Sequence, residues 1–211
     1  MLGTYRPADI VVSGHPLGAA RRNLLASGHA RELALGTLSG VDVQRYLSAL
    51  LPAADALLAL CTEHGFSLFV ALARCSRGWA LAVDSGQERG VDEIRAGIEQ
   101  WQATGAKLLV PYQLGLLGDA QAAVARQEAA LSTVEEALEV VRRTGERWWE
   151  PELLRLAGQL RGGIALRARG ARRVRGRRTV LASLRKAVAL ARRQGAHALV
   201  RRARESLDRL E

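Results

Sequence analysis

Apolar residues recur along most of the chain with the spacing of amphipathic helices. The segments VDEIRAGIEQW (91–101) and VEEALEVV (134–141) place apolar residues at i, i+3, i+4 and i+7, which gives each helix one apolar stripe. We therefore predict pairs of helices. The first helix of each pair spans roughly 66–84, 107–125 or 148–162, and the second spans roughly 87–103, 127–143 or 178–193.

The predicted helix pairs repeat with a period of forty residues, carried by two series of glycines and by apolar positions in the same register. Glycines of the first series, such as Gly105 and Gly145, directly follow a helix, where a residue in the left-handed conformation would end it. Glycines of the second series lie inside the first helices, where we expect the partner helix to approach too closely for a β-carbon. The register then slips by ten residues, which indicates an insertion within 161–177. The matching positions are Gly65, Gly105 and Gly145; Gly78, Gly118 and Gly158; Phe69, Leu109 and Trp149; and Leu68, Leu108 and Trp148.

Stacked helix pairs predict an all-α fold, an α-solenoid. The composition favours the same fold class, because 48% of the residues are hydrophobic but only 4% are aromatic, and Ala, Leu and Arg are abundant. Residues 1–45 lack the repeat, so we expect an irregular or mixed, poorly packed segment there. Its strand-like stretch at 10–12 has no obvious partner strand in the sequence.

The layout of each helix pair resembles the tetratricopeptide repeat. A small residue lies in the first helix, and Ala130, Val134 and Ala137 give the small-x3-apolar-x2-small spacing of the second. The usual tetratricopeptide period is about 34 residues, so longer helices leave a HEAT-like arrangement open. More specifically, RGWAL (77–81), GIEQWQATGA (97–106) and TGERWWEPELLRLAGQL (144–160) are similar to the C-terminal repeats of bacterial multidomain signal-transduction ATPases, a family that includes adenylate-cyclase-type transcriptional regulators.

A second stretch, LGTYRPADIVVSGHPL (2–17) with RELALGTLSGVDVQRYL (31–47), resembles the end of that family's ATPase domain. The resemblance implies a remnant of that domain at 1–50 and tetratricopeptide-like repeats at 51–211, and it places Arg6 at a sensor position near a γ-phosphate. The sequence departs from the family because it has no GxxxxGK[ST] loop and no Walker B carboxylates. We therefore expect a truncated or internally deleted relative of these ATPases, in which Arg6 is a surface or loop arginine rather than a nucleotide contact.

The side chains that carry chemistry elsewhere predict no enzyme, cofactor or metal site in this chain. The four histidines are scattered without metal-ligand spacing, and there is no GxSxG nucleophile motif. Cys61 and Cys75 fall on helix faces, where we expect buried structural thiols. With no signal peptide and no apolar run of about 20 residues, we expect a cytoplasmic protein without membrane contact.

One candidate surface is the concave face that first helices form in a solenoid, where partners usually dock. The residues that we expect to contact a protein or peptide partner there are Tyr112, Gln113, Trp148, Trp149 and Arg155. The tryptophan pair also fits packing between repeats, because the equivalent positions in the neighbouring repeats are apolar.

The other candidate surface is basic. The net charge of +10 is concentrated in residues 161–204, which hold fifteen of the 31 basic residues and no Asp or Glu. This tract lacks aromatic residues to stack bases, its glycines predict a flexible insertion, and a GC-rich genome would also impose arginine over lysine. We therefore favour a non-enzymatic interaction scaffold from a signal-transduction ATPase or transcriptional regulator. The alternative is nucleic-acid binding through Arg172, Arg173, Arg175, Arg177 and Arg178.

Overall fold

The computed structural model describes residues 17–28, 40–167 and 171–209, and the chain divides into two compact units, 1–39 and 40–211. Within these ranges every regular element is an α-helix and no strand occurs, which confirms the all-α prediction. The first unit contributes α1 (Leu17–Ala26). The second contains α2 (Gly40–Glu63), α3 (Ser67–Ser85), α4 (Glu88–Ala103), α5 (Val110–Ala123), α6 (Gln127–Thr144), α7 (Glu150–Arg167), α8 (Ala171–Arg193) and α9 (His197–Asp208).

The helix bounds follow the repeat closely but differ at the two places where the repeat is irregular. Helix α2 runs from Gly40 through the predicted domain boundary at residue 50 and contains Pro52, so residues 40–45 are helical rather than irregular. The proposed insertion is also helical where it is described, at 161–167 and 171–177. Arginine and alanine have high helix propensity, which offsets the glycines that suggested a flexible segment. The strand-like stretch at 10–12 and Arg6 lie outside the described residues.

The helices pack in a regular pattern. Each helix of the second unit contacts the next one along the chain, and α3, α5, α7 and α9 also contact one another in succession. Within the described chain, no corresponding contact joins α4 to α6 or α6 to α8. We call α3, α5, α7 and α9 the first-helix layer, because they are the first members of their pairs. Successive helices of this layer contact each other, whereas the second helices, where described, contact first helices but not one another.

Close approach within a pair is set by the glycines inside the first helices. A β-carbon on Gly78 would lie 2.5 Å from the carbonyl oxygen of Gly90 and 2.8 Å from Cγ1 of Ile94. The same substitution at Gly118 would meet Cγ2 of Val134 at 2.5 Å, but at Gly158 it would meet the side chain of Leu184 at 3.2 Å. An approach too close for a β-carbon is therefore confirmed at Gly78 and Gly118, whereas at Gly158 the contact is tight but leaves room for a small shift. The space for a β-carbon is most restricted at Gly78, because the nearest atom there belongs to the backbone and cannot rotate away.

Polar contacts tie successive pairs together. Arg77 on α3 donates to Asp55 of α2 at 2.5 Å and to Glu93 of α4 at 2.6 Å. Farther along, the carboxylate of Glu146 accepts the backbone N–H of Leu109 at 3.0 Å, just before α5 begins. Leu109 has a φ of +67°, which is unusual for a residue with a branched side chain. Glu146 thus holds the residue that immediately precedes a helix of the preceding pair.

The glycine contacts predict different effects for two alanine substitutions. Gly78→Ala should lower the free energy of unfolding by about 2 kcal/mol, because α3 and α4 must separate to admit the new methyl group. Gly158→Ala should be nearly neutral, because the side chain of Leu184 has to shift by only a few tenths of an ångström and alanine favours helix by about 1 kcal/mol. Urea unfolding followed by circular dichroism measures both. Equal effects would contradict the backbone contact at Gly78.

Candidate binding groove on the first-helix layer

A cavity of about 220 Å³ opens on the first-helix layer. Its walls come from α3, α5 and α7 and from Trp149 just before α7, with one residue each from α2 and α9. We call this cavity the groove. Its lining combines aromatic rings with polar and charged groups: Leu50, Ser76, Trp79, Tyr112, Gly115, Leu116, Asp119, Trp149, Glu152, Leu156 and Arg202.

Three of the aromatic residues form one cluster where α5 meets the start of α7. The ring centroids of Tyr112 and Trp149 are 5.2 Å apart in an edge-to-face arrangement, and Trp148 lies 5.5 Å from Tyr112. Trp149 also packs against α5 at Gly115, where a β-carbon would lie 3.1 Å from its indole nitrogen. The structure thus brings Tyr112, Trp148 and Trp149 together. The cluster packs successive pairs against each other, and Tyr112 and Trp149 also line the groove.

Trp148 occupies a different position from Trp149. Its side chain is not part of the groove lining, is 44% exposed, and donates its indole N–H to Glu146 at 2.8 Å. Together with exposed Leu108, it belongs to the edge of the stack where the first helices begin. A partner that contacts Trp148 would therefore have to extend beyond the groove.

A hydrogen bond that the sequence analysis missed crosses the groove. The indole N–H of Trp79 on α3 donates to Oδ2 of Asp119 on α5 at 2.9 Å. The two residues are forty positions apart and so occupy equivalent places in successive repeats. The residue forty positions further on is Gln159, whose amide donates to Ser206 of α9 at 3.1 Å. The forty-residue register, applied to polar as well as apolar positions, was the signal that could have found the contact between Trp79 and Asp119.

The far end of the groove is occupied by a buried ionic network. Arg155 donates to both carboxylate oxygens of Glu152, at 2.9 and 2.7 Å, and also to Gln159. The side chains of Glu152 and Arg155 are only 4% and 7% exposed. Arg202, which is half-exposed on α9, approaches the same carboxylate at 3.1 Å. Two guanidinium groups thus neutralise Glu152.

Two predicted contact residues are not available to a partner. Gln113 is completely buried, and neither atom of its amide has a hydrogen-bond partner in the described chain. Arg155 is buried and committed to Glu152 and Gln159, so it supports the groove without lining it. Both expectations are corrected for the same reason: α5 and α7 are covered on more than one side, which leaves few of their polar residues at the surface.

The thiols and histidines provide no reactive cluster in the described part of the chain. Cys61 and Cys75 are both buried and free, as expected for structural thiols. Burial raises the pKa of the Cys75 thiol to about 12, which keeps it protonated and unreactive at neutral pH. No group of three or more histidine, cysteine, aspartate or glutamate side chains that could hold a metal occurs among the described residues.

The five arginines proposed for nucleic-acid binding all belong to α8. Arg177 and Arg178 are exposed on this helix, and Arg172, Arg173 and Arg175 belong to its first two turns. Arg161 in the second half of α7 is paired with Glu135 at 2.7 Å. In the described chain, helix α8 contributes no residue to the groove lining.

Comparison with known proteins identifies one relative and no function. No protein-family model matches the chain, and no solved structure matches it. The chain is 34% identical over 133 residues to "Uncharacterized protein R02095" of Rhizobium meliloti (strain 1021). The alignment covers 63% of this chain but 12% of that protein, so the chain spans a small part of a much longer relative. None of the described helices is both long and apolar enough to cross a bilayer.

The buried ionic network predicts a large loss of stability when one cation is removed. Arg155→Met should lower the free energy of unfolding by about 3 kcal/mol, because it leaves the buried Glu152 carboxylate with half of its partners. Arg142→Met is the matched control, since Arg142 pairs with Glu139 at the same i,i+3 spacing but on an exposed surface. It should change stability by less than about 1 kcal/mol. Similar losses for both variants in urea unfolding would contradict the network.

Proposed function

We propose that this chain is a non-enzymatic scaffold, a short solenoid of tetratricopeptide-like helix pairs that binds a protein or peptide partner in the groove. The observation that carries the proposal is the groove itself, which opens on the first-helix layer and combines aromatic rings with a carboxylate on an exposed surface. A partner-binding groove needs apolar area for affinity and a few polar groups for orientation. The lining supplies both.

The packing pattern supports the solenoid part of this proposal. In a tetratricopeptide-like array, each first helix contacts its own partner, the preceding second helix and the next first helix. The contacts of α3, α5 and α7 have this pattern. Because the first helices contact each other and the second helices do not, the first-helix layer is the narrower one, and such a stack curves with that layer on its concave side.

The sequence resemblance and the length of the relative support a setting within a larger regulator. The chain resembles the repeats of bacterial signal-transduction ATPases and transcriptional regulators, and it matches 12% of a much longer protein. A helical module in such a protein would dock a partner and bias the activity of a neighbouring domain. In this proposal the module works in the cytoplasm and itself carries out no reaction.

Selection of binding peptides on the full chain tests the proposal. Peptides enriched from a displayed random library should bind the wild-type chain and should bind Ser76→Tyr at least about tenfold more weakly, because the new ring would fill the groove. Ser132→Tyr is the matched control, since Ser132 is exposed on α6 in the other layer. Peptides that bind both variants equally would place binding elsewhere, and failure to enrich any peptide would contradict the scaffold function.

Nucleic-acid binding is the second candidate, favoured by the exposure of Arg177 and Arg178 on a helix whose first half is rich in arginine. If this function is correct, changing both residues to glutamine should weaken binding to labelled duplex DNA or single-stranded RNA and reduce the slope of log K against log salt by about 2. The same change at Arg142 and Arg143 removes equal charge from α6 and should have little effect.

The salt dependence separates this function from incidental charge. Fluorescence anisotropy at two salt concentrations should show binding that persists at about 0.15 M salt and prefers one kind of nucleic acid. Weak binding that responds equally to both arginine pairs and disappears with salt would contradict nucleic-acid recognition.

A further inference from the structure

We propose that the groove accepts the cationic side chain of a lysine or arginine from the partner peptide, with Asp119 as its counter-ion. This inference rests on the proposed scaffold function and specifies the chemistry that the groove would recognise. It is carried by three properties of the groove: the unneutralised charge of Asp119, the aromatic rings around it, and a volume suited to one side chain.

The charge argument depends on how the two carboxylates of the lining are partnered. Glu152 is held by Arg155 and Arg202, so its charge is neutralised within the protein. Asp119 accepts only the neutral indole N–H of Trp79, on Oδ2. No cation of the described chain pairs with Asp119, and its Oδ1 atom has no hydrogen-bond donor there. A partly buried carboxylate without a cation favours the binding of one.

The aromatic rings add a second attraction for the same kind of group. Trp79, Tyr112 and Trp149 line the cavity that Asp119 also lines. A cation within about 6 Å of an aromatic face is attracted to it, most strongly to tryptophan. Methylene groups of a lysine or arginine stem would pack on the same rings. Asp119 thus recognises the charge while the rings recognise both the charge and the stem.

The size of the groove favours a single side chain over a larger ligand. Its volume is about 220 Å³, whereas pockets for drug-sized molecules usually exceed about 300 Å³. An anionic group is disfavoured beside Asp119, because the two negative charges would repel each other. The groove therefore differs from an arginine-rich site for carboxylate or phosphate.

The indole N–H signal of Trp79 reports directly on this site. It can be assigned in a ¹H–¹⁵N spectrum of the full chain by its loss in Trp79→Phe. Titration with N-acetyl-lysine amide and N-acetyl-arginine amide should displace this signal saturably. The neutral analogue N-acetyl-norleucine amide and the anionic N-acetyl-glutamate amide should leave it nearly unchanged.

Asp119→Asn separates charge from shape, because asparagine keeps the size of the side chain and an oxygen that can accept from Trp79. This variant should bind the cationic probes at least about tenfold more weakly. Asp92→Asn is the matched control, since Asp92 is exposed on α4, and it should bind them like the wild type. Unchanged circular dichroism shows that each variant is folded.

The outcomes distinguish this inference from the scaffold function on which it rests. Equal displacement by norleucine or glutamate amide, unchanged affinity in Asp119→Asn, or no displacement at the solubility limit of the cationic probes would each overturn it. If the selected peptides lose affinity for Ser76→Tyr but contain no lysine or arginine that is required for binding, the inference fails while the scaffold function stands. If the cationic probes bind but no peptide can be selected, the scaffold function fails while the site chemistry stands.

Discussion

The close approach of the two helices in each pair is the constraint on which the rest of the structure depends. At Gly78 and Gly90 the backbones of α3 and α4 approach so closely that neither position can hold a β-carbon. In the next pair, Gly118 of α5 lies similarly close to the side chain of Val134 on α6. In each pair the first helix contacts the next first helix as well as its own partner, which gives the continuous first-helix layer.

The groove is a consequence of the same layer. Residues forty positions apart on successive first helices can lie face to face, as Trp79 and Asp119 do. At the last step of the layer, Gln159 makes a polar contact with Ser206 of α9. These contacts place polar and charged groups, Asp119 among them, on the first-helix layer.

Much of this architecture could be predicted from the sequence, because the glycine spacing marks both helix ends and close contacts. Tyr112, Trp148 and Trp149, which the sequence assigned to one face, lie in one cluster, and two of them, Tyr112 and Trp149, line the groove. Gln113 and Arg155 were misplaced, because a helix that is covered on two sides has no single polar face that periodicity can identify. The Trp79–Asp119 bond was missed because the register was applied to apolar positions only. Tryptophan and aspartate differ in chemistry, so a comparison of residue types at equivalent positions does not match Trp79 with Asp119. Their relation is visible only once α3 and α5 lie side by side.

The contact between Trp79 and Asp119 tests the stacking of first helices most directly, since the two residues are forty positions apart and meet only if α3 and α5 lie side by side. The account predicts a nuclear Overhauser effect between the indole N–H of Trp79 and the β-protons of Asp119 in the full chain. It also predicts that this indole proton exchanges more slowly with water than that of the exposed Trp148. Absence of the effect, with both indole protons exchanging equally fast, would contradict the first-helix layer and the groove built on it.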